Sequence, residues 1–281
     1  MWNTLKKVLS SKDNLSELKT SYDENGFLVL KNFFSQEELA AFDSDVQNIW
    51  QNRQSEGGEI TIDILEGELT GQRLKLKDAP DSALDCAHKV NDLYLESGAC
   101  RNLNLNKKLC GILKELFSDD PLVINSLSFR KGSQQPHHFD TYFMPPPVQN
   151  QMVVSSICLE DQSTDAGPLS YYPGSHKIEP YVFSHGGIHL APGEMKHATA
   201  YIEEEIEKNN LKAETFIGNA GDVFIWHAQL YHGGLPINDE NKTRKTLVTH
   251  YWRRKDVEAE RVALTPEGES YLAKDHLTVA A

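Results

Sequence analysis

The chain has 281 residues, with 41 acidic and 28 basic side chains and a formal net charge of −13 at pH 7. Because nucleic acids and anionic membranes select basic surfaces, this charge argues against either as a general partner. We predict one domain over 1–281, a length that is sufficient to bury a large core.

Helices are predicted for much of the N-terminal part of the chain. Ser35 and Glu38 have the spacing of a capping box, which begins a helix. Apolar residues at helical spacing predict further helices over 83–94 and 109–116. Alternating isoleucines over 60–64 predict a strand instead.

Short β-rich runs separated by turn residues dominate the second half of the chain. Many short antiparallel strands in one domain favour a double-stranded β-helix, the jelly roll of cupins. We therefore predict a mainly β fold with helical decoration, in which a mostly helical layer over 1–120 precedes a jelly-roll core over 121–255. A long insertion over 177–215 is predicted to act as a lid. The tail over 256–281 is predicted to be loosely held.

The most informative motif is formed by His138, Phe139 and Asp140. Because alternate side chains of a strand point the same way, His138 and Asp140 can reach one ion while Phe139 faces away. Two histidines and one carboxylate are the ligand set of a facial iron(II) site with an open face. His232, brought alongside by the fold, is the predicted third ligand.

Other histidines offer alternatives for this site. His137 would point to the other side of a strand from its neighbour in the motif. His227 lies five positions before His232, so the two face opposite sides of an unbroken strand, and we expect His227 to pack or to support the site. His185 and His189 have a zinc-ligand spacing only if they lie in a helix, which the intervening glycines disfavour.

A cosubstrate pocket is predicted beside the metal, because three open positions accommodate a bidentate 2-oxo acid and O2. Arg244, on the strand that follows His232, is the predicted cation for a second carboxylate, since a guanidinium can donate two hydrogen bonds to it. The alternative is a solvated arginine in a charge cluster. Ser128 and Ser156 are predicted as further contacts, although serines also occur in sheets without such a role.

With these features the sequence resembles the phytanoyl-CoA dioxygenase family of iron(II)- and 2-oxoglutarate-dependent oxygenases. The resemblance extends from 22–30 to 251–252, and the family-like stretches between them are 132–140, 166–177 and 221–227.

The resemblance implies an iron(II) site made by His138, Asp140 and His232. It also implies that Arg244 holds the distal carboxylate of 2-oxoglutarate and that O2 is the oxidant. Halogenases of the family replace the carboxylate ligand with a small residue so that chloride can bind. The presence of Asp140 therefore favours hydroxylation of a small organic substrate, with release of succinate and CO2.

Two other functions would keep the same pocket. A cupin-like metalloenzyme that uses no 2-oxo acid would need the metal ligands but not Arg244, and a non-catalytic protein would bind 2-oxoglutarate without consuming it. The sequence does not name the substrate or the oligomeric state. Gln72, Arg73 and Lys75, in a predicted hairpin over 60–76, would either meet an anionic group or remain solvated.

The four cysteines are dispersed and form no Cys-x-x-Cys pair. No secretory signal is evident, and no stretch approaches the roughly 20 apolar residues of a spanning helix. We therefore expect a cytoplasmic protein without a membrane partner.

Overall fold

Two β-sheets and a helical layer make up the fold in the computed structural model, which describes residues 15–56, 60–84 and 86–273. The helices in these ranges are α1 (Leu15–Asn25), α2 (Gln36–Gln51), α3 (Arg53–Glu56), α4 (Gly98–Asn104), α5 (Lys107–Phe117) and α6 (Met195–Lys208). The strands are β1 (Phe27–Leu30), β2 (Thr61–Ile64), β3 (Arg73–Lys75), β4 (His88–Asn91), β5 (Pro121–Phe129), β6 (Met152–Cys158), β7 (Leu169–Tyr171), β8 (Glu214–Phe216), β9 (Val223–His227), β10 (His232–Gly234), β11 (Thr246–Arg253), β12 (Val262–Leu264) and β13 (Ser270–Leu272).

The larger sheet has the strand order β1-β9-β6-β11-β5-β4-β2-β3, and its neighbours on this path are antiparallel. The smaller sheet has the order β10-β7-β8. Apolar side chains of both sheets meet in one buried cluster, in which Tyr171 and Phe216 of the smaller sheet join Phe224 and Trp226 of the larger one. The two sheets therefore enclose an interior, as in a jelly roll.

The helical layer covers the outer face of the larger sheet. Ser35 caps α2, and the reciprocal bonds of the predicted capping box with Glu38 are present. Ile62 and Leu247 point outward from the sheet and join Phe42 of α2 in the largest buried cluster. Each aliphatic side chain that leaves water in this way contributes roughly 1.5–3 kcal/mol.

The helix predicted over 83–94 is wrong. This segment contains β4, which pairs with β2 on one side and with β5 on the other. The apolar spacing predicted that Val90 is buried, and Val90 is buried against the helical layer. It lies on a strand, however, and not on a helix. Pairing with two neighbours satisfies the backbone of the segment and overrides its helix-like spacing.

The C-terminal segment is held more firmly than its polar composition predicts. β12 and β13 form a hairpin, and β13 pairs in parallel with β5. Leu272 is buried in the cluster between the sheets. The loosely held tail expected from 256 onward is therefore wrong as far as residue 273, and 274–281 lie outside the described residues.

The insertion over 177–215 contains α6, whose apolar residues are buried. Ala198 and Ile202 of this helix join Phe139, Tyr142 and Tyr231 in a third cluster. Phe139 is the residue between the two predicted ligands of the His-x-Asp motif, and it is fully buried. The helix thus packs behind the ligand-bearing segment, on the side to which Phe139 points.

Candidate metal centre and cosubstrate pocket

His138, Asp140 and His232 converge as the sequence predicted. One ligand atom from each lies within 4.8 Å of the others, and no other such group of three occurs among the described residues. His138 and His232 face each other across an antiparallel bridge with backbone N–O distances of 2.9 and 3.2 Å. Asp140 follows at the start of a short 3-10 turn. The fold therefore supplies the third ligand from the smaller sheet.

The backbone orients both imidazoles for metal binding. Nδ1 of His138 lies 2.8 Å from the Pro136 carbonyl oxygen, and Nδ1 of His232 lies 2.8 Å from that of Leu230. A ring whose Nδ1–H donates to a carbonyl carries its lone pair on Nε2. The two Nε2 atoms lie 3.4 and 3.7 Å from Oδ1 of Asp140, which gives a compact set of two nitrogens and one oxygen. This set fits a divalent iron ion.

Trp226 fixes the carboxylate of Asp140. Its indole Nε1 donates a hydrogen bond of 2.9 Å to Oδ2, so Oδ1 is the oxygen that faces the imidazoles. Outer partners of this kind orient a metal ligand and limit it to one oxygen. No sequence pattern indicates this role for Trp226, although the residue lies within the family-like stretch over 221–227.

Replacing Trp226 with Phe should weaken iron(II) binding about 10-fold, the lower end of the effect of removing an outer partner. The ring volume stays nearly constant, while the donor to Asp140 is lost. Anaerobic titration with iron(II) measures the effect. Trp50→Phe is the matched control, because Trp50 stacks on His88 in the helical layer. Equal losses in the two variants would mean that Trp226 does not act through the carboxylate.

The charge states at this centre suit a metal ion. Burial lowers the pKa of His232 to about 4, so its imidazole is neutral at pH 7. Burial alone would raise the pKa of Asp140, but the imidazoles of His232, His138 and His250 outweigh it and hold this pKa well below its ordinary value. A carboxylate and neutral imidazoles are the forms that bind divalent metals.

Close backbone approach explains the glycine after His232. A Cβ at Gly233 would lie 2.9 Å from the backbone nitrogen of His137 and 2.9 Å from the carbonyl oxygen of Gln135. Both atoms belong to the segment that leads into the His-x-Asp motif. A larger residue would push the two ligand-bearing segments apart.

The other histidines that the sequence offered as alternatives lie outside this cluster. His137 has Nε2 3.1 Å from Ser170 Oγ, and its ring packs on Tyr231. His227 packs on His176, and burial lowers its pKa to about 4. His185 directs Nε2 at the carbonyl oxygen of His189, 2.7 Å away, and this loop contributes to no candidate metal group within the described ranges.

His250 is a third imidazole at the centre, and sequence reasoning missed it. Its Nε2 lies 3.8 Å from Oδ1 of Asp140, and the residue is 2% exposed. Its Nδ1 is buried and has no partner in the described part of the chain. The sequence feature that could have indicated His250 is its even separation from Arg244, because residues an even number of positions apart lie on one face of a strand.

Arg244 is buried on the same face as His250. It is 6% exposed, and its Nε has no hydrogen-bond partner among the described residues. Burial lowers its pKa to about 10, so the guanidinium is charged at pH 7. The buried hydroxyl of Thr246, two residues further on, also has no partner there. A buried cation and hydroxyl without partners are the complement of a carboxylate.

The sheet register separates the two predicted serines. Ser156 pairs with Val248 on β11 and with Phe224 on β9, so it lies on the interior face with His250. Ser128 pairs with Leu247, which points into the helical layer. Antiparallel partners share a face, so Ser128 points away from the metal centre. The register supports the pocket role predicted for Ser156 and does not support that of Ser128.

Comparison with known families agrees with this geometry. The family model for phytanoyl-CoA dioxygenase matches residues 22–246, most of the chain. The chain belongs to the phytanoyl-CoA dioxygenase family. Membership confirms the predicted enzyme class, a non-haem iron dioxygenase that uses 2-oxoglutarate and O2.

Two relatives show the extent of the sequence similarity. The peroxisomal phytanoyl-CoA dioxygenase of Bos taurus is 24% identical over 84% of this chain and 67% of its own length. A probable alpha-ketoglutarate-dependent hypophosphite dioxygenase of Stutzerimonas stutzeri is 24% identical over 83% of this chain and 77% of its own.

A solved structure of similar fold supports this architecture. The crystal structure of EctD from S. alaskensis with 2-oxoglutarate and 5-hydroxyectoine superposes with a TM-score of 0.62 at 16% identity, covering 89% of this chain and 80% of that one. The predicted jelly-roll fold is confirmed, and within the described residues the larger sheet is open and does not close into a barrel. None of the helices described for this chain is both long and apolar enough to span a membrane.

Proposed function

We propose that this dioxygenase hydroxylates a small organic molecule, with iron(II) held by His138, Asp140 and His232. When bound, iron(II) activates O2, so that 2-oxoglutarate yields succinate and CO2 and one oxygen atom enters a C–H bond of the substrate. These three side chains would hold one face of the ion and would leave the opposite face for the reactants. Asp140 occupies the position that a halogenase would leave to chloride.

Arg244 carries the assignment of the cosubstrate pocket. Burying a guanidinium whose Nε has no partner among the described residues costs folding free energy, unless a bound anion accepts its hydrogen bonds. Its position on the interior face, at the end of β11 away from His250, is where the distal carboxylate of 2-oxoglutarate would lie if the 2-oxo acid group reached the metal. Thr246 would donate its hydroxyl to the same carboxylate, and Ser156 lies on the facing part of β6.

We further propose one catalytic domain and a cytoplasmic location. The cluster that packs helices on the larger sheet includes residues from α1 to β11. The four cysteines are free, as a reducing compartment requires. The helix α6 is proposed to brace the ligand-bearing segment from behind through Phe139, rather than to move as a lid.

The decisive experiment follows the fate of O2. Purified protein with iron(II), 2-oxoglutarate and ¹⁸O2 should form succinate with one labelled oxygen and, with a competent substrate, a product with the other. Succinate should also form slowly without substrate. Binding of 2-oxoglutarate with no succinate in any condition would favour a non-catalytic protein. Substrate oxidation that proceeds without 2-oxoglutarate would favour a cupin-like enzyme.

A further inference from the structure

Phe143 lies beside the most open side of the metal centre. Its ring packs edge-on against the imidazole of His138, with 5.3 Å between the ring centroids and 84° between the ring planes. His138 is the most exposed of the three candidate ligands, with 12% of its side chain accessible to solvent against 8% for Asp140 and 8% for His232. Phe143 stands on this side with 40% of its own surface exposed.

The backbone fixes Phe143 relative to the metal ligands. The amide nitrogens of Phe143 and Met144 both donate to the carbonyl oxygen of Asp140, at 3.0 Å each. Met144 packs against the buried cluster between the sheets, and three consecutive prolines, 145–147, follow it. Because proline restricts its own φ and the conformation of the residue before it, this segment has little freedom to move the ring. Phe143 is therefore a preorganised surface.

A second exposed apolar residue is held on a neighbouring segment. The amide nitrogen of Tyr181 donates a hydrogen bond of 3.0 Å to the hydroxyl of Tyr142, and Phe183 packs edge-on against the Tyr142 ring. Val182, between these two contacts, is 59% exposed. The buried side chain of Tyr142 thus ties the segment of Val182 to the residue that precedes Phe143.

The two segments carry no charged side chain. Residues 141–151 and 180–184 contain no acidic or basic residue, in a chain of which 25% of the residues are charged. Of the seven large apolar side chains exposed among the described residues, Phe143, Val148 and Val182 lie on these segments. Single exposed apolar residues are ordinary on a protein surface. Three of them on two linked segments, one in contact with a metal ligand, form a surface suited to an apolar ligand.

We propose that Phe143 is a specificity-determining residue, on which an uncharged hydrocarbon part of the substrate packs while the carbon to be oxidised lies at the metal. This inference rests on the proposed function. A group that covers the exposed part of the ring lies within one aromatic contact of His138, so it also lies beside the metal centre. A charged group placed here would lose its hydration without gaining an ion pair. The favoured substrate class is therefore a molecule with a neutral ring or alkyl portion next to the oxidised carbon.

Binding without turnover tests the proposal. The probes are benzyl alcohol, cyclohexylmethanol and 1-octanol, and the polyol xylitol is the control ligand. The protein is loaded with iron(II) and 2-oxoglutarate in the absence of O2, and proton NMR spectra of each probe are compared with those recorded on zinc-loaded protein. Because iron(II) is paramagnetic, it broadens the signals of a probe that binds next to it. At least one apolar probe should be broadened, and xylitol should not.

Variants of Phe143 assign the binding to its ring. Phe143→Ala should lower the affinity of the broadened probe at least about 10-fold, because an aromatic contact is lost. Phe143→Leu keeps an apolar side chain and should lower the affinity less. Leu264→Ala is the matched control, because Leu264 is 59% exposed on β12, and it should leave the affinity unchanged.

The iron(II) affinity of Phe143→Ala separates a substrate contact from a support of the metal ligand. It should stay close to that of wild type. A loss of about 10-fold or more, the effect of removing an outer partner, would make Phe143 a support of His138 and overturn the proposal.

Three further outcomes would overturn it. They are no iron-dependent broadening of any apolar probe, equal broadening of xylitol, and equal probe affinity in Phe143→Ala and Leu264→Ala. If apolar probes bind through Phe143 but no succinate forms under any condition, the proposed function fails and the binding surface stands. If succinate forms and Phe143→Ala binds the probes as wild type does, this inference fails and the proposed function stands.

Turnover then links the surface to the reaction. For a probe that is oxidised, Phe143→Ala should raise the KM at least about 10-fold while the KM for 2-oxoglutarate stays nearly constant. More succinate should also form per molecule of oxidised probe, because a loosely held substrate is oxidised in fewer turnovers. A KM for the probe equal to that of Leu264→Ala would contradict the assignment.

Discussion

Asp140→Ala should lower iron(II) affinity by more than about 100-fold and abolish succinate formation. Outer partners of metal ligands already cost 10–100-fold when they are removed, so loss of a ligand itself should exceed that range. The two imidazoles that remain supply no negative charge to the ion. Anaerobic iron(II) titration and succinate assays at saturating 2-oxoglutarate measure the two effects.

The fold should survive this change, which makes the result interpretable. Asp140 is a buried carboxylate whose only non-histidine side-chain partner among the described residues is Trp226, so its removal relieves a desolvation cost but also loses the attraction of the imidazoles and one hydrogen bond. Circular dichroism of metal-free protein should therefore stay close to wild type, while its melting temperature should fall modestly. Asp23→Ala, on the exposed surface of α1, is the control. Iron binding that persists at wild-type affinity in Asp140→Ala would remove this residue from the centre.

The convergence of the candidate metal ligands was predictable, because its sequence signals are local or follow a simple rule. His138 and Asp140 are two residues apart, and the alternation of a strand was enough to direct Phe139 away from them. His232 and Arg244 required the resemblance to a family as well as spacing. In each case the chemistry restricts the residue type so strongly that the sequence alone indicates it.

The outer partners could not be predicted, because they depend on register between distant strands. Trp226 reaches Asp140 because β9 pairs with β6 in the larger sheet and directs Trp226 to the interior face. No local pattern in the sequence sets this order of the strands. Ser128 and Ser156 illustrate the same difficulty. Both are small polar residues in β-rich runs, and only pairing with β11 places them on opposite faces.

Segment 83–94 shows how tertiary pairing overrides a local pattern. Ala83, Ala87 and Val90 are buried, so the apolar spacing was read correctly, but their burial arises from strand β4 and its flanking turns.

Arg244→Met should weaken 2-oxoglutarate binding by about 10²–10³-fold, since two charge-assisted hydrogen bonds are lost together. The same change should leave the cosubstrate-free protein as stable as wild type or more stable. Burial lowers the pKa of Arg244 to about 10, so the wild type keeps a charged guanidinium in its interior at a cost in folding free energy. A methionine side chain has no charge to desolvate and avoids this cost. Isothermal titration and melting curves with and without 2-oxoglutarate measure both quantities.

The opposite directions of these two effects identify a binding residue rather than a structural one. A structural arginine would lower the melting temperature when it is removed, and 2-oxoglutarate would still raise that temperature in the variant. Lys245→Met is the matched control, because Lys245 is the next residue and points outward to Asp43 of α2. It should leave cosubstrate affinity unchanged. Wild-type activity in Arg244→Met would instead favour a metalloenzyme that needs no 2-oxo acid. Such an enzyme would use the same three metal ligands, but it would have no carboxylate for the guanidinium of Arg244 to bind.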